Sequence, residues 1–294
     1  MTTRTDPIMS ERRQLTNVAY RLLGSLADAE DAVQEGYARW YALPEARREE
    51  IVSPGAWLTR VVGRICLDAL GSARVRRERY VGEWLPEPLP DPGGDPSERV
   101  TLDESVTMAF LVVLESMTPA ERVAFVLHDV FCHPFAEVAE IVGRTPAACR
   151  QLASSARRRV RASHSPAAPA ARKTVREMGR EAGVVRRFRL AWQAQDVEAL
   201  VALLDPGAVA VADGGGVVSA VLRPVVGGEA IAGYAVALGA VADLALRERT
   251  VNGRPGLVAE RDGVVEMVVA FEVAGERIVR IWAVRNPDKL RAWA

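Results

Sequence analysis

Pro86, Pro88, Pro90, Pro92 and Pro96 fall within one stretch, YVGEWLPEPLPDPGGDPSE, together with Gly82, Gly93 and Gly94. A helix cannot run through it: each proline lacks an amide proton, and its ring clashes with the carbonyl four residues earlier. The chain on either side reads as helical, so this segment divides it. Yet it opens on Trp84 and Leu85, apolar side chains that a solvated tether does not need. A stiff strap of this kind calls for a surface to lie on.

Upstream, residues 10–80 carry helical periodicity. Val18, Leu22, Leu23 and Leu26 recur at helical spacing. SLADAEDAVQEGYARWY, Ser25 to Tyr41, sets Ala32, Val33, Gly36, Tyr37 and Trp40 on one side. SPGAWLTRVVGRICLDAL starts a third helix, with Ser53 suited to the N-cap and Pro54 to the first helical position. Downstream, residues 99–162 make a second helical block. Val106, Phe110, Val113 and Met117 form an apolar stripe. TPAE, from Thr118, has the capping-box pattern, with Pro119 first in the helix and Glu121 closing the box. FAEVAEIVG is a short amphipathic helix stopped by Gly143, and Thr145-Pro146 caps another.

SPAAPAARK, Ser165 to Lys173, reads as a second linker. Beyond it the period changes. A helix around Val184 to Gln193 precedes the strands LALRERTV, GLVAERDG, VVEMVVAFEV and RIVRIWAVR. Turns fall at Asn252-Gly253, Asp262-Gly263 and Ala274-Gly275. The pattern predicts an α+β domain on a curved antiparallel sheet.

Lysine plus arginine number 38 and aspartate plus glutamate 38, which excludes a whole-chain basic footprint for nucleic acid. The charge is segregated, however. Asp28–Glu35 holds four acids and no base, Arg60–Arg79 six bases and two acids, and Thr145–Ala162 five arginines and no acid. Local basic patches bind phosphate even on a neutral chain. Cys66, Cys132 and Cys149 are too few for a disulfide framework and suit a reducing compartment. With no apolar leader and no membrane-length apolar run, the reading is a soluble cytoplasmic protein with no membrane partner. His128, Cys132 and His133 stand close in VFCHPF. A structural zinc site wants four ligands and no fourth lies nearby, so no metal is expected.

A short helix, a glycine-containing turn and a capped second helix make a helix-turn-helix pattern. In TPAACRQLASSARRRVRA, a step of about 100° per residue gathers Cys149, Leu152, Ala156 and Val160 on the core side. Ala147, Arg150, Gln151, Ser154, Arg158 and Arg161 fall opposite. Small polar and basic residues there suit a major groove, the arginines reaching phosphates or guanine edges. A solvated basic helix is the plain alternative, and the turn and cap favour DNA.

These segments together resemble bacterial RNA polymerase sigma factors of the extracytoplasmic-function (ECF) type. AYRLLGSLADAEDAVQEGYARWY is similar to their regions 2.1–2.2, AWLTRVVGRICLDALGSARVRRERY to regions 2.3–2.4, and LESMTPAERVAFVLHDVFCHPFAEVAEIVGRTPAACRQLASSARRRV to region 4. WLPEP at Trp84–Pro88, DGGG at Asp213–Gly216 and NPDKL at Asn286–Leu290 resemble three signatures of the subgroup with a fused SnoaL-like C-terminal domain. The implied architecture is multidomain. Two all-α sigma domains, region 2 over 1–80 and the region 4 helix-turn-helix over 101–164, flank a WLPEP linker over 81–100. A linker over 165–174 then leads to an α+β SnoaL/NTF2-like, cone-shaped domain over 175–294.

The resemblance also implies roles. Asp28, Glu30, Asp31, Gln34 and Glu35 match the surface that docks on the β′ clamp helices of core RNA polymerase, with β as a further partner; acids near a helix start also complement its dipole. Arg60, Arg64, Arg74, Arg76 and Arg77 match the reader of the −10 element, where melting exposes a single strand. Arg64 stands where many relatives have Asn, and Gly71 where Arg is frequent, and both bear on −10 base preference. Trp57 reads as core. The helix-turn-helix would take the −35 element of promoter DNA.

For the C-terminal domain three roles remain. SnoaL-type isomerases and cyclases need a base in an apolar pocket. From residue 172 onward the chain has no His or Cys, and Tyr234 is its lone tyrosine. Asp213, Asp262 and Glu266 are the bases on offer, and the reading is not an enzyme and needs no cofactor. The second role is a pocket for an unidentified small ligand. The third is an in-cis regulator of the sigma domains, in place of a separate anti-sigma protein. Regulatory contacts would then come from Trp84, Leu85, Pro86, Glu87 and Pro88 of the strap, Asp213, Gly214, Gly215 and Gly216, and Asn286, Pro287, Asp288, Lys289 and Leu290. Trp84 and Leu85 would anchor in an apolar groove of that domain, or Trp84 would cap the core of the preceding helices. The rival overall readings are an isomerase or cyclase fused to a DNA-binding regulator, and a ligand-sensing repressor. A repressor has no use for the acidic helix.

Overall fold

Five helix starts are fixed by a serine or threonine oxygen accepting an amide of the first turn, which satisfies a donor the helix leaves open. Ser25 takes the Asp28 N–H at 3.3 Å, Ser53 that of Ala56 at 3.3 Å, and Thr118 that of Glu121 at 3.3 Å. Thr145 takes the Ala148 N–H at 3.2 Å and Thr174 that of Glu177 at 3.2 Å. The structure, a computed structural model, describes residues 11–77, 80–90, 106–163, 174–241 and 244–293, with side chains throughout except at 73–77 and 240–241. Contacts divide the chain into two units: a helical one from 11–77 and 110–163, and a second from 80–90, 106–109 and 174–293. The linker SPAAPAARK lies outside the described residues.

In the helical unit, α1 spans Arg12–Leu23, α2 Leu26–Tyr41, α3 Glu45–Glu49 and α4 Pro54–Arg77. Gly24 ends α1 in the left-handed conformation (φ 72°), so Leu26 opens α2 instead of extending the stripe of Val18 and Leu22. The inward side of α2 is as the period predicts: Ala32, Val33, Gly36, Tyr37 and Trp40 are buried. Trp57 is half-buried and meets Trp40 edge-on at 5.2 Å.

The second block has α5 (Met108–Glu115), α6 (Pro119–Phe125), a π-helical turn (Val126–Val130), α7 (Phe135–Val142) and α8 (Pro146–Ala162). Val106, Phe110, Val113 and Met117 are all buried. Arg122 of α6, 2% exposed, ties the blocks together. Its Nη1 donates to the Leu22 carbonyl of α1 at 2.9 Å and to Glu115 Oε1 at 2.7 Å. Burial brings the Arg122 pKa down to about 9. The Cys66 thiol is pushed up to about 12, chiefly by burial, which leaves it inert. Among the described residues no helix is long and apolar enough to cross a membrane. His128 stacks on Phe135 at 3.7 Å and His133 meets Glu137 at 3.1 Å; no metal-ligating cluster occurs among the described residues.

The second unit packs α9 (Val175–Gln193), α10 (Val197–Leu203) and α11 (Gly228–Val241) on six strands ordered β2-β1-β6-β5-β4-β3. These are β1 Leu204–Asp213, β2 Val225–Val226, β3 Ala245–Val251, β4 Arg254–Arg261, β5 Val264–Ala274 and β6 Arg277–Val284. The α9 side chains Val184, Val185, Phe188 and Trp192 meet Leu257, Met267, Val269 and Phe271 in the core. α9 begins nine residues before the expected Val184, at Val175, behind a full capping box of Thr174 and Glu177. The three hairpins turn where Asn252-Gly253, Asp262-Gly263 and Ala274-Gly275 placed them. The sheet itself is mixed, correcting the antiparallel expectation: β1 runs parallel to β6. Hairpin signals cannot register such a pair, which needs a long crossover instead of a tight turn. LDPGAVAVAD also carries proline and glycine at its start, which masks its strand period.

Candidate nucleic-acid interface and strap site

α7 ends at Gly143 (φ 68°), and α8 restarts after the Thr145 cap. Helix packing then decides which side of α8 meets solvent. Cys149, Ala153, Ala156 and Val160 are buried. Leu152, expected in that stripe, is half-buried, and the smaller Ala153 takes the inner place. Ala147, Arg150, Gln151, Ser154, Arg158 and Arg161 are all exposed on the opposite side. The Arg150 guanidinium stands 5.8 Å from the Phe135 ring, which holds it near the helix start. Three contacts fix α8 from behind. Ser155 donates to Glu121 Oε1 at 2.6 Å, Arg159 lies 3.6 Å from Glu121, and Arg157 lies 2.5 Å from Asp129. Burial raises the Glu121 carboxyl, but hydrogen bonds from Ser155 and Thr118 outweigh it and hold the group below its ordinary value. Sequence reasoning did not single out this acid beyond its cap.

On α2, Asp28, Glu30, Asp31, Gln34 and Glu35 are all exposed. Only Glu35 has a neighbouring cation, Arg39 at 2.8 Å one turn on, among the ion pairs of the described residues. On α4, Arg60 and Arg64 are exposed, while the side chains of Arg74, Arg76 and Arg77 lie outside the described residues. Arg60 pairs with Glu140 of α7 at 3.0 Å, and Gly63 lies so close to Ile141 that a Cβ would stand 3.1 Å from it.

The strap finds its surface within the second unit. Asp213, at the end of β1, is fully buried and accepts four hydrogen bonds. Its Oδ1 takes the Tyr80 hydroxyl at 2.6 Å and the Gly215 N–H at 3.0 Å. Its Oδ2 takes the Leu85 N–H at 2.8 Å and the Lys289 ammonium at 2.6 Å. Lys289 also donates to the Leu85 carbonyl at 2.5 Å and lies 4.0 Å from the Trp84 ring centroid. Trp84 is half-buried under that ammonium, whereas Leu85 is the one that is buried. The expected apolar groove for the pair is therefore divided: Leu85 fills apolar space, and Trp84 makes a cation–π contact. Further along, Trp293 Nε1 donates to the Pro88 carbonyl at 2.8 Å. Leu89 exchanges two bonds with Asn252, N–H to Oδ1 at 3.2 Å and carbonyl from N–H at 2.9 Å. Pro90 bridges Val251 at the sheet edge, where a missing amide proton costs nothing. Glu87 and Leu290 are buried, Pro86 and Pro88 lie within the buried run, and Pro287 and Asp288 are exposed.

The glycines are sterically required. A Cβ on Gly214 would stand 2.1 Å from the Val218 carbonyl, and one on Gly215 (φ 67°) 2.6 Å from Asn286. Gly216 (φ 72°) faces Val81 of the strap at 3.1 Å. Asn286 donates from Nδ2 to the Tyr80 hydroxyl at 2.9 Å and caps the turn Pro287–Lys289 by accepting from Asp288 N at 3.1 Å. Burial first, then the bond to Asp213, pushes the Tyr80 hydroxyl above the ordinary tyrosine range, so it stays a donor. Tyr80 and Asn252 were missed as site residues: one opens the strap as an unremarkable aromatic, the other doubles as a turn residue.

Of the three carboxylates offered as general bases, Asp213 has both oxygens engaged, Glu266 lies 3.2 Å from Arg261, and Asp262 sits in a hairpin turn at φ 51°.

The sequence matches Sigma-70 region 2 over residues 8–76 and Sigma-70, region 4 over 107–160. ECF RNA polymerase sigma factor SigJ of Mycobacterium tuberculosis is 38% identical over 292 residues, covering 95% of this chain and 90% of that one. Probable ECF RNA polymerase sigma factor SigI of the same species is 33% identical, covering 98% and 97%. The crystal structure of M. tuberculosis SigJ superposes with a TM-score of 0.73 at 35% identity, over 96% of each chain. The chain therefore belongs to the extracytoplasmic-function RNA polymerase sigma factors.

Proposed function

We propose that this chain is a promoter-specificity subunit: it binds core RNA polymerase and directs transcription initiation at chosen promoters. The observation that carries this is the outer face of α8, six small, polar and basic residues all exposed on a capped helix held from behind by Glu121 and Asp129. That face reads the −35 element, with Arg150 and Gln151 near the helix start at base edges and Arg158 and Arg161 on phosphates. The exposed acids of α2 dock on the β′ clamp helices. The basic side of α4 follows the −10 strand, and Arg60 must leave Glu140 to do so, an exposed pair worth about 0–1 kcal/mol and easily exchanged for phosphate.

The second unit modulates this activity in cis through the strap. Its support is the enclosure of Asp213 by Tyr80, Leu85 and Lys289, which ties WLPEP, DGGG and NPDKL into one site. The same enclosure argues against the isomerase reading, because a carboxylate accepting four hydrogen bonds has no free oxygen for proton abstraction. Run-off transcription with core polymerase tests the proposal. Promoter-dependent transcripts that require this chain support it, and their absence on every candidate promoter, with folded protein, overturns it.

A further inference from the structure

The stretch His128–Phe135 forms no metal-ligating cluster among the described residues, yet its side chains build a stack that ends at the exposed face of α8. The π-helical turn Val126–Val130 closes with the Phe131 N–H on the Val126 carbonyl at 3.1 Å. Cys132 follows in the left-handed conformation (φ 58°), which is uncommon for a residue with a Cβ. The His133 N–H then meets the Leu127 carbonyl at 2.9 Å, and the His133 carbonyl lies 2.9 Å from His128 Nδ1. A carbonyl only accepts, so Nδ1 carries the proton and the imidazole is fixed in place. That ring stacks on Phe135, the first residue of α7, with centroids 3.7 Å apart and planes 27° from parallel. Phe135 is half-buried, and the Arg150 guanidinium of α8 stands 5.8 Å from its centroid. No carboxylate pairs with Arg150 among the described residues, so the ring is its anchor. A guanidinium packed on an aromatic ring uses its flat face and keeps its in-plane N–H donors for a second partner.

We propose that Phe135, braced by His128, is a positioning residue for promoter discrimination: it pre-sets the Arg150 side chain, so that its fork of donors meets a base edge of the −35 element. This rests on the reading of Arg150 as a base contact given above. An arginine free in solvent gives up rotamer freedom when it docks on a base, and one already held by a ring has given up part of it beforehand. The gain falls on the specific complex. A phosphate can be reached from many rotamers, whereas a bidentate base contact needs one. Phe135 thus acts on the choice between sequences and not on general affinity for DNA. The support of α8 divides accordingly: Glu121 and Asp129 hold the helix, while Phe135 and His128 hold one side chain upon it.

The test has two parts. In the full chain without polymerase, NMR relaxation of the arginine Nε–H groups compares Arg150 with Arg158, an exposed arginine of the same helix. Arg150 should be the more ordered on the ps–ns timescale. Phe135→Leu should bring it to the level of Arg158, and Phe135→Tyr, which keeps the ring face, should not. Equal order of the two arginines in the unaltered protein would overturn the proposal, and this comparison decides even where Phe135→Leu fails to fold. In the second part, core polymerase carrying the full chain is titrated with single-base variants of the −35 element. Arg150→Ala identifies the position that this side chain reads. There Phe135→Leu should lower the affinity ratio between preferred and other bases by about two- to fivefold, the scale of an exposed cation–π contact, with non-specific DNA binding unchanged. Phe135→Tyr should restore the ratio. Equal loss on all sequences for Phe135→Leu would make the ring a structural support only and sink the assignment. If Arg150→Ala removes a preference that Phe135→Leu retains, the positioning role alone is wrong. If Arg150→Ala removes none, the base-reading of Arg150 fails and the positioning role with it.

Discussion

Lys289 Nζ lies 2.6 Å from Asp213 Oδ2, and both residues are at most 9% exposed. Four residues of chain separate Lys289 from the end of β6, and Asp213 ends the neighbouring parallel strand β1, opposite Val284. A buried pair of this kind costs desolvation and repays it only when every remaining polar valence is met. Here it is met by the strap, through Tyr80 and Leu85. The ion pair and the docked strap are thus one structure. Removing either partner alone leaves the other as an unpaired buried charge, at about 3–5 kcal/mol. Lys289→Met and Asp213→Ala should each destabilise the second unit by that order, and the double variant by much less than the sum. Denaturant titrations of the four proteins give the coupling, and simple additivity would refute it.

Trp84 is the residue the WLPEP signature advertises, yet Leu85 is the buried one. Leu85→Ala should cost about 2–5 kcal/mol of strap docking, as for a buried leucine. Trp84→Ala should cost about 0.5–2 kcal/mol, the range of a cation–π contact. Limited proteolysis within the strap ranks the two. Faster cleavage of the Trp84 variant than of the Leu85 variant would reverse the assignment.

Glu121 closes a helix cap and also receives Ser155 of α8 at 2.6 Å, so it positions α8, the helix proposed to meet the −35 element. Its carboxyl is held low in the fold, which means the unfolded chain takes up the proton first as pH falls. The stabilisation is therefore complete above the ordinary carboxylate range and lost as pH drops through the lowered folded value. The stability gap between wild type and Glu121→Gln should be present at neutral pH and shrink on acidification. Melting curves across that window check it, and a gap that widens in acid contradicts it.

Most of the helical unit was legible because its signals are local. Caps, a glycine stop and a 3.6-residue period fixed the helix starts and the exposed face of α8 within one residue class, with Ala153 for Leu152 the lone exchange. The hairpins were legible for the same reason. β1 was not, since its partner β6 lies more than sixty residues away and no turn joins them. The strap site was half legible. DGGG and NPDKL were recognisable as signatures, but that one carboxylate oxygen pair would gather Tyr80, Leu85, Gly215 and Lys289 is a long-range fact of folding. Tyr80 stands 133 residues from Asp213.

On promoters, Arg150→Ala or Gln151→Ala should change preference at the −35 element, at about 1–3 kcal/mol of discrimination for a bidentate base contact. Arg158→Ala and Arg161→Ala should weaken all promoters alike and lower the salt slope by about one phosphate each. Binding measured over several −35 variants and salt concentrations separates these. Equal loss on every variant for Arg150→Ala would make it a phosphate contact. Charge reversal at Asp31 and Glu35 should abolish core binding with the fold intact, because the Glu35–Arg39 pair on α2 is exposed and contributes only about 0.3–0.5 kcal/mol. Undiminished co-elution of that variant with core enzyme would remove α2 as the docking face.

Truncation before Asn286 is the most informative change to the strap. It removes the Lys289 ammonium, the Asn286 amide on Tyr80 and the Trp293 indole on Pro88 at once. Asp213 is left buried with the strap hydrogen bonds of Tyr80 and Leu85 but no counter-charge, so the strap should detach and its cleavage rate rise. Transcription then reports what the docked strap does. A clamp on the sigma domains, once released, raises run-off product; a scaffold that sets their spacing, once lost, lowers it. The expected sign is a rise, since the strap follows in sequence on α4, the helix proposed to meet the −10 element, and a released strap no longer tethers that segment to the second unit. A two-state arrangement of this kind needs only a few kcal/mol between its states, which is the scale of the lost pair. Trp84→Ala should move transcription the same way by a smaller factor. If the truncated chain and Trp84→Ala both transcribe like wild type on several promoters while cleavage shows the strap released, the strap is a tether and the second unit does not regulate through it.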